Sequence, residues 1–241
     1  MHTVTAVIFD MDGLMFDTER LNAQCWAQVG KELNINIPES FLAQLRGLTR
    51  TEYRTAFIRQ FGAQLDYDHA SSRQKQLFWA CIDKDGVPIK PGLLELLAFL
   101  HQENILAAMA TASHQDRACR YLKLTGLHPY FQSFAFGNQV LHGKPDPELF
   151  LLVAANLQVD PEHCIVLEDS INGIMAGIAG GFHTVMIPDL VQPTPELERQ
   201  LDAKLETLHQ VILYIKAKCG ERRSCQTKKR PNCAALTEGH T

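Results

Sequence analysis

The chain has 241 residues and a formal charge of −4, with 46% hydrophobic and 21% charged residues, ordinary values for one large or two modest globular domains. No apolar run approaches the ~20 residues of a membrane span, and no basic region precedes a signal-like core, so a cytoplasmic protein without membrane contact is expected. Residues 216–241 hold seven Lys or Arg against two Glu, a balance of +5 that leaves −9 on the remainder, and an acidic body argues against a nucleic-acid partner.

The chain opens with an apolar run, Val4, Ala6, Val7, Ile8 and Phe9, which reads as a strand buried on both faces of a parallel sheet. It stops at Asp10, and Asp12 follows two residues on, so both carboxylates can leave the strand on the same side. Gly13 then lets the backbone turn. Two acids at a strand's carboxyl end suit metal binding, or a nucleophile beside a proton carrier. As bare residue types they are equally suited to a turn and a helix cap.

From about residue 18 to 88 the text is helical. Leu21, Cys25, Trp26 and Val29 fall at helical spacing, Pro38 introduces a segment with Phe41, Leu42 and Leu45, and Tyr53, Phe57, Ile58, Phe61, Leu77, Phe78 and Ile82 continue the pattern. Within it, Arg46 and Arg50 flank Gly47, which suits an anion-binding turn or two solvated surface charges.

Alternating α/β text follows. Pro91 fits the first turn of a helix carrying Leu94, Leu97, Ala98 and Leu100. A strand over 105–111 ends in Thr111, Ala112 and Ser113, a helix runs from Arg117 to Leu124, and Phe134 to Phe136 form a short strand. The run Gly137 to Lys144 misses the phosphate-loop pattern: five residues separate its glycines, and Pro145 follows the lysine. Pro145 is instead expected to start a helix through Phe150, Leu151, Val153 and Ala154. Cys164 to Leu167 form a further strand, ended by Glu168, Asp169 and Ser170, and a last strand runs from His183 to Ile187. A helix over about 205–215 closes the body, and beyond Lys216 the pattern dissolves into a basic tail expected to be disordered. Of seven cysteines, Cys25, Cys81, Cys119 and Cys164 lie in apolar patterns and are expected in the core, while Cys219, Cys225 and Cys233 match no zinc spacing.

FDMDGLMFDTE, Thr111 at its strand end, His142-Gly143-Lys144-Pro145 and EDSINGIMAGIAGG, in this order, resemble the four signatures of the haloacid dehalogenase-like superfamily. The nearest branch is that of the sugar-phosphate phosphatases and β-phosphoglucomutase. The resemblance implies a doubly wound parallel, Rossmann-like sheet: a core of residues 1–17 and 89–216, a helical cap inserted over 18–88, and a tail from 217 to 241. It implies a magnesium-dependent phosphatase acting on a small phosphorylated metabolite such as a sugar phosphate, and a monomer is expected.

In that family Asp10 would be the nucleophile that forms an aspartyl-phosphate, and Asp12 the acid and base. Thr111, the Ala112 amide and Lys144 would hold the phosphoryl group, with Ser113 or His114 assisting. Arg46, Gly47 and Arg50 would be the cap's substrate loop. Magnesium would be held by Asp10, the Asp12 carbonyl and Asp169, with Glu168 close by. The mutase carries a His five residues after the motif's third Asp; counted from Asp17, that position is Asn22, which favours the phosphatase. A catalytically silent binding module on the same fold is the alternative from another class.

Overall fold

The computed structural model describes residues 4–45, 50–62 and 65–226. Strand β1 (Ala6–Phe9) is buried throughout. Val7 and Phe9 enter one apolar cluster and Ala6 and Ile8 another, because alternate side chains leave a strand on opposite faces. The helices α1 (Thr18–Leu33), α2 (Glu39–Gln44), α3 (Arg50–Phe61) and α4 (Tyr67–Asp85) follow, with no strand among the described residues between them. Their core is aromatic: the Trp26 and Phe57 rings lie 4.4 Å apart, and Tyr53, Tyr67 and Phe41 pack around Phe57. Rings at this spacing repay burial well, which is why the segment needs no sheet of its own.

The chain enters and leaves this segment through two connections that run side by side. Phe16 and Ile89 form an antiparallel bridge, Asp17 N donates to Pro88 O at 2.8 Å, and Lys90 N donates to Met15 O at 2.9 Å. Arg20 and Lys90 both pair with Asp189, each at 2.7 Å, tying the connections to the sheet's far loop.

The alternating part comprises α5 (Leu93–Gln102), β2 (Leu106–Thr111), α6 (Gln115–Thr125), β3 (Ser133–Phe136), α7 (Glu148–Leu157), β4 (Cys164–Glu168), α8 (Ile171–Ala179), β5 (His183–Met186), α9 (Pro195–Glu198), β6 (Ala203–Lys204) and α10 (Leu208–Gln226). All strand pairs are parallel, in the order β3-β2-β1-β4-β5-β6. The chain winds outward from β1 to β3, then crosses to the other side of β1 at β4. The crevice beyond β1 and β4 is therefore the switch point where open α/β sheets bind ligands.

Some expectations are corrected. The helix after Pro91 begins at Leu93, with Gly92 as its cap at φ 89°, a left-handed value that suits glycine. Pro145 starts no helix: Asp146 N closes a turn on Gly143 O at 3.0 Å, and α7 begins only at Glu148. Helix α10 does not stop at Ile215 but runs to Gln226, so residues 217–226 are helical. The apolar periodicity ends where the packed face ends, whereas a helix continues by adding one backbone bond per residue. Lys218 anchors the extension, with Nζ 3.4 Å from Asp202 and 5.0 Å above the Tyr214 ring. Residues 227–241 lie outside the described residues. Cys25 and Cys164 are buried as expected, but Cys81 is half-buried and Cys119 exposed. Cys119 falls on the outer face of α6, whose Ala118, Tyr121 and Leu122 turn inward.

Candidate active site

The carboxyl ends of β1, β2 and β4 and the loop before α7 bring four of the sequence-predicted residues together. Lys144 Nζ donates to Asp10 Oδ1, to Glu168 Oε1 at 2.6 Å and to Ala110 O at 3.2 Å. Glu168 is fully buried, and its second oxygen accepts from Asp169 N, Ser170 N and Ser170 Oγ at 3.0, 3.0 and 2.8 Å. Both Glu168 oxygens are thus in use, and its first task is to hold Lys144 and the turn into α8. Gly173 leaves the space for it: a Cβ there would sit 1.8 Å from Glu168 Oε1.

Asp169 is different. Its Oδ1 is buried with no hydrogen-bond partner among the described residues, an expensive state for a carboxylate oxygen. Its Oδ2 faces Gly13, where a Cβ would come within 2.2 Å, at a φ of 92°. Ligand atoms of Asp10, Glu168 and Asp169 all lie within 4.8 Å of one another. Burial pushes the Asp10 carboxyl up to about 8; Lys144 opposes the rise, while Glu168 and Asp12 add to it. Burial also holds the Asp169 carboxyl well above its usual range, helped by Glu168 and Asp10. Burial acts to lower Lys144, but the two carboxylates beside it win, and its ammonium is held above the ordinary lysine value. Once all three carboxyls are ionised, the single ammonium leaves them two positive charges short of neutrality, which is why burial and mutual repulsion together hold Asp10 and Asp169 high without a further cation beside them. A divalent, oxygen-seeking cation fits that deficit and the orphaned Asp169 oxygen.

Asp12 is held from three sides. Thr18 Oγ1 donates to its Oδ1 at 2.6 Å, Ser113 Oγ to its Oδ2 at 2.7 Å, and Arg117 Nη2 to its Oδ1 at 2.9 Å. Thr111 is buried at the end of β2, and its Oγ1 accepts from Ser113 N at 3.0 Å, leaving the hydroxyl proton to point elsewhere. Ala112 lies against Gly137, where a Cβ would meet the Ala112 carbonyl oxygen at 2.1 Å. Ser113 therefore serves Asp12, and His114 caps α6, its Nδ1 accepting from Asp116 N at 3.3 Å. Arg46 and Gly47 lie outside the described residues. Arg50 is the first residue of α3, and its side chain is likewise outside what the structure describes.

Sequence reasoning missed Thr18 and Arg117. Arg117 carried a signal: a cation in the first turn of a helix opposes the dipole and needs a partner. Among the helices of the 18–88 segment, and reaching Arg117 of α6, lies a cavity of about 280 Å³, lined by Glu19, Asn22, Trp26, Tyr53, Gln74 and Arg117 among others. Asn22 Oδ1 accepts from Gln74 Nε2 at 2.7 Å.

The profile of haloacid dehalogenase-like hydrolases matches residues 4–181, which spans every strand end just described. The chain belongs to the haloacid dehalogenase-like hydrolase family. Within that family it is 32% identical over 184 residues to the phosphorylated carbohydrates phosphatase of Thermotoga maritima, covering 75% of this chain and 83% of that protein. It is 29% identical over 219 residues to the beta-phosphoglucomutase of Bacillus subtilis, covering 85% and 94%. Among solved structures, a Thermotoga maritima protein described as a candidate beta-phosphoglucomutase superposes with a TM-score of 0.74 at 28% identity, over 90% of this chain and 99% of that one. This haloacid dehalogenase-like hydrolase therefore sits among the phosphatase and phosphoglucomutase members, as its motifs led one to expect.

Proposed function

We propose that this phosphoric monoester hydrolase removes phosphate from a small phosphorylated sugar or sugar-like alcohol, with Asp10 as nucleophile. An Asp10 oxygen attacks phosphorus, the bond to the leaving oxygen breaks, and Asp12 gives that oxygen its proton. Water then attacks the aspartyl-phosphate, passing a proton to Asp12, and inorganic phosphate leaves as the bond to Asp10 breaks. Lys144 and the Thr111 hydroxyl, with the Ala112 amide, bind the phosphoryl oxygens where charge develops.

The observation that carries this reading is the convergence of Asp10, Lys144 and Asp169 at the switch point, with Asp12 held beside them. Magnesium would be held by Asp10, Asp169 and the Asp12 carbonyl, with Glu168 alongside; when bound, it supplies two positive charges to the phosphate oxygens. The helical block 18–88 acts as the cap over the core of 1–17 and 89–216, and the cavity among its helices, open to Arg117, receives the leaving group. Arg46, Gly47 and Arg50 are assigned to substrate binding in this reading, on the resemblance alone. Hydrolysis is favoured over mutase action because Asn22 stands where the mutase has His, and its carbonyl is already engaged by Gln74. A silent binding role leaves the complete set of Asp10, Asp12, Lys144 and Asp169 unexplained.

The test is turnover of p-nitrophenyl phosphate by purified Asp10→Asn protein. The loss should be at least ~10³-fold with the fold intact, as for a nucleophile acting in a unit. Wild-type activity should vanish in EDTA and return with magnesium. Activity within tenfold of wild type in Asp10→Asn, or full activity in EDTA, contradicts the proposal.

A further inference from the structure

We infer that Arg117 is a positioning residue for Asp12, and that it holds Asp12 in place only while helix α4 rests against α6. The inference builds on the phosphatase reading above. Asp12 has three donors, each from a different part of the chain: Thr18 at the start of α1, Ser113 beyond β2, and Arg117 on α6. The two hydroxyls can rotate away. The guanidinium is planar, and its fork fixes direction. Arg117 is itself oriented on two sides. Its Nε donates to Tyr121 Oη at 2.9 Å, and its guanidinium lies 5.3 Å from the Tyr121 ring and 5.2 Å from the Phe78 ring.

Phe78 belongs to α4, so the cation that steers Asp12 leans on the helical segment. The rest of the α4–α6 contact repeats this arrangement one turn along. Arg120 sits 3.9 Å above the Trp79 ring and pairs with Asp83, and Trp79 meets Tyr121 at 5.8 Å. Arg117 also lines the cavity among the helices of the 18–88 segment. A shift of α4 away from α6 therefore removes the ring beneath the guanidinium. Arg117 is then steered from the Tyr121 side alone, and its hold on the direction of Asp12 loosens. Movement of α4 is thus felt at Asp12 through Arg117, in addition to the direct contact that Thr18 of α1 makes with it.

The experiment is steady-state kinetics of the full chain with magnesium, on p-nitrophenyl phosphate and on glycerol 2-phosphate. An alkoxide needs a proton to leave and nitrophenolate does not, so the two esters separate the placement of Asp12 from phosphate binding. Arg117→Met should lower kcat on glycerol 2-phosphate roughly 10- to 100-fold, less on p-nitrophenyl phosphate, with KM within about threefold. Added guanidine, at millimolar concentration, should restore part of the loss. Phe78→Leu should lower kcat on glycerol 2-phosphate in the wild type and change little in the Arg117→Met background, since the two act through one path.

Unchanged kcat in Arg117→Met overturns the inference. So does an equal loss on both esters without guanidine rescue, which marks a structural role, or a raised KM at constant kcat, which marks direct binding of the leaving group. If Arg117→Met does not fold, Arg117→Lys keeps a cation over Phe78 but loses the fork: a several-fold loss confined to glycerol 2-phosphate supports the inference, and wild-type rates overturn it. A wild-type chain that hydrolyses neither ester takes the phosphatase reading down and this one with it, whereas an active wild type with indifferent Arg117 variants defeats this one alone.

Discussion

Glu168 shows how much of the site depends on one buried side chain that need not touch substrate. It fixes the Lys144 ammonium with one oxygen and the turn into α8 with the other. Its room exists because residue 173 has no side chain. Gly173→Ala should therefore displace Glu168 and release Lys144, leaving buried charges unpaired. We expect kcat to fall at least tenfold and stability to drop by about 3 kcal/mol, in the range for breaking a buried ion pair. Urea unfolding with parallel p-nitrophenyl phosphate assays checks both, and an unaltered midpoint would show that α8 can shift to accommodate the methyl group.

At the scale of elements, the far edge of the sheet is secured by Asp202. Its carboxylate meets His183 Nδ1 at 2.7 Å and Lys218 Nζ at 3.4 Å, and accepts from Thr184 N at 3.0 Å, joining β5, the approach to β6, and α10. Partial burial works to raise this carboxyl, but the hydrogen bonds from His183 and Thr184 N and the nearby Lys218 charge outweigh it, and it is held below the usual aspartate value. A depressed folded-state value means stability that is present above the unfolded value and lost as pH falls through the folded one. Asp202→Asn should thus cost about 1 kcal/mol at pH 7, a modest figure because the group is partly solvated. The difference should disappear in acid, below the ordinary aspartate range. A cost that stays constant down to pH 2 would assign the effect to packing instead.

For the whole molecule, the corrected extent of α10 changes where the chain can be cut. The last residues, 227–241, are polar and basic without apolar periodicity in sequence. Deleting them should leave melting temperature and kcat/KM unchanged. Cutting after Ile215 should instead lower the melting temperature by several degrees, because it removes Lys218 from Asp202 and Tyr214. Equal melting temperatures for the two truncations would show that the helix extension adds nothing.

The sequence by itself determined the sheet and which residues stand at its strand ends. A strand buried on both faces has an apolar run, and its carboxyl end is where that run meets Asp10, Glu168 or Thr111, so both features are local and legible. The helical nature of 18–88 was equally plain, because its aromatic residues recur at the helical period. Tertiary structure alone decided what the acids touch. Asp12 and Arg117 are 105 positions apart, and Lys144 and Asp10 134 apart; no periodicity links such pairs. The same holds for β6, whose two residues are too short to carry a pattern and exist as a strand only because β5 offers a free edge. Helix α10 outran its apolar stripe for the complementary reason: hydrophobic periodicity reports the face that packs, and backbone hydrogen bonding continues past it. Local pattern records burial, whereas pairing across the fold is set by which strand ends the topology brings to one crevice.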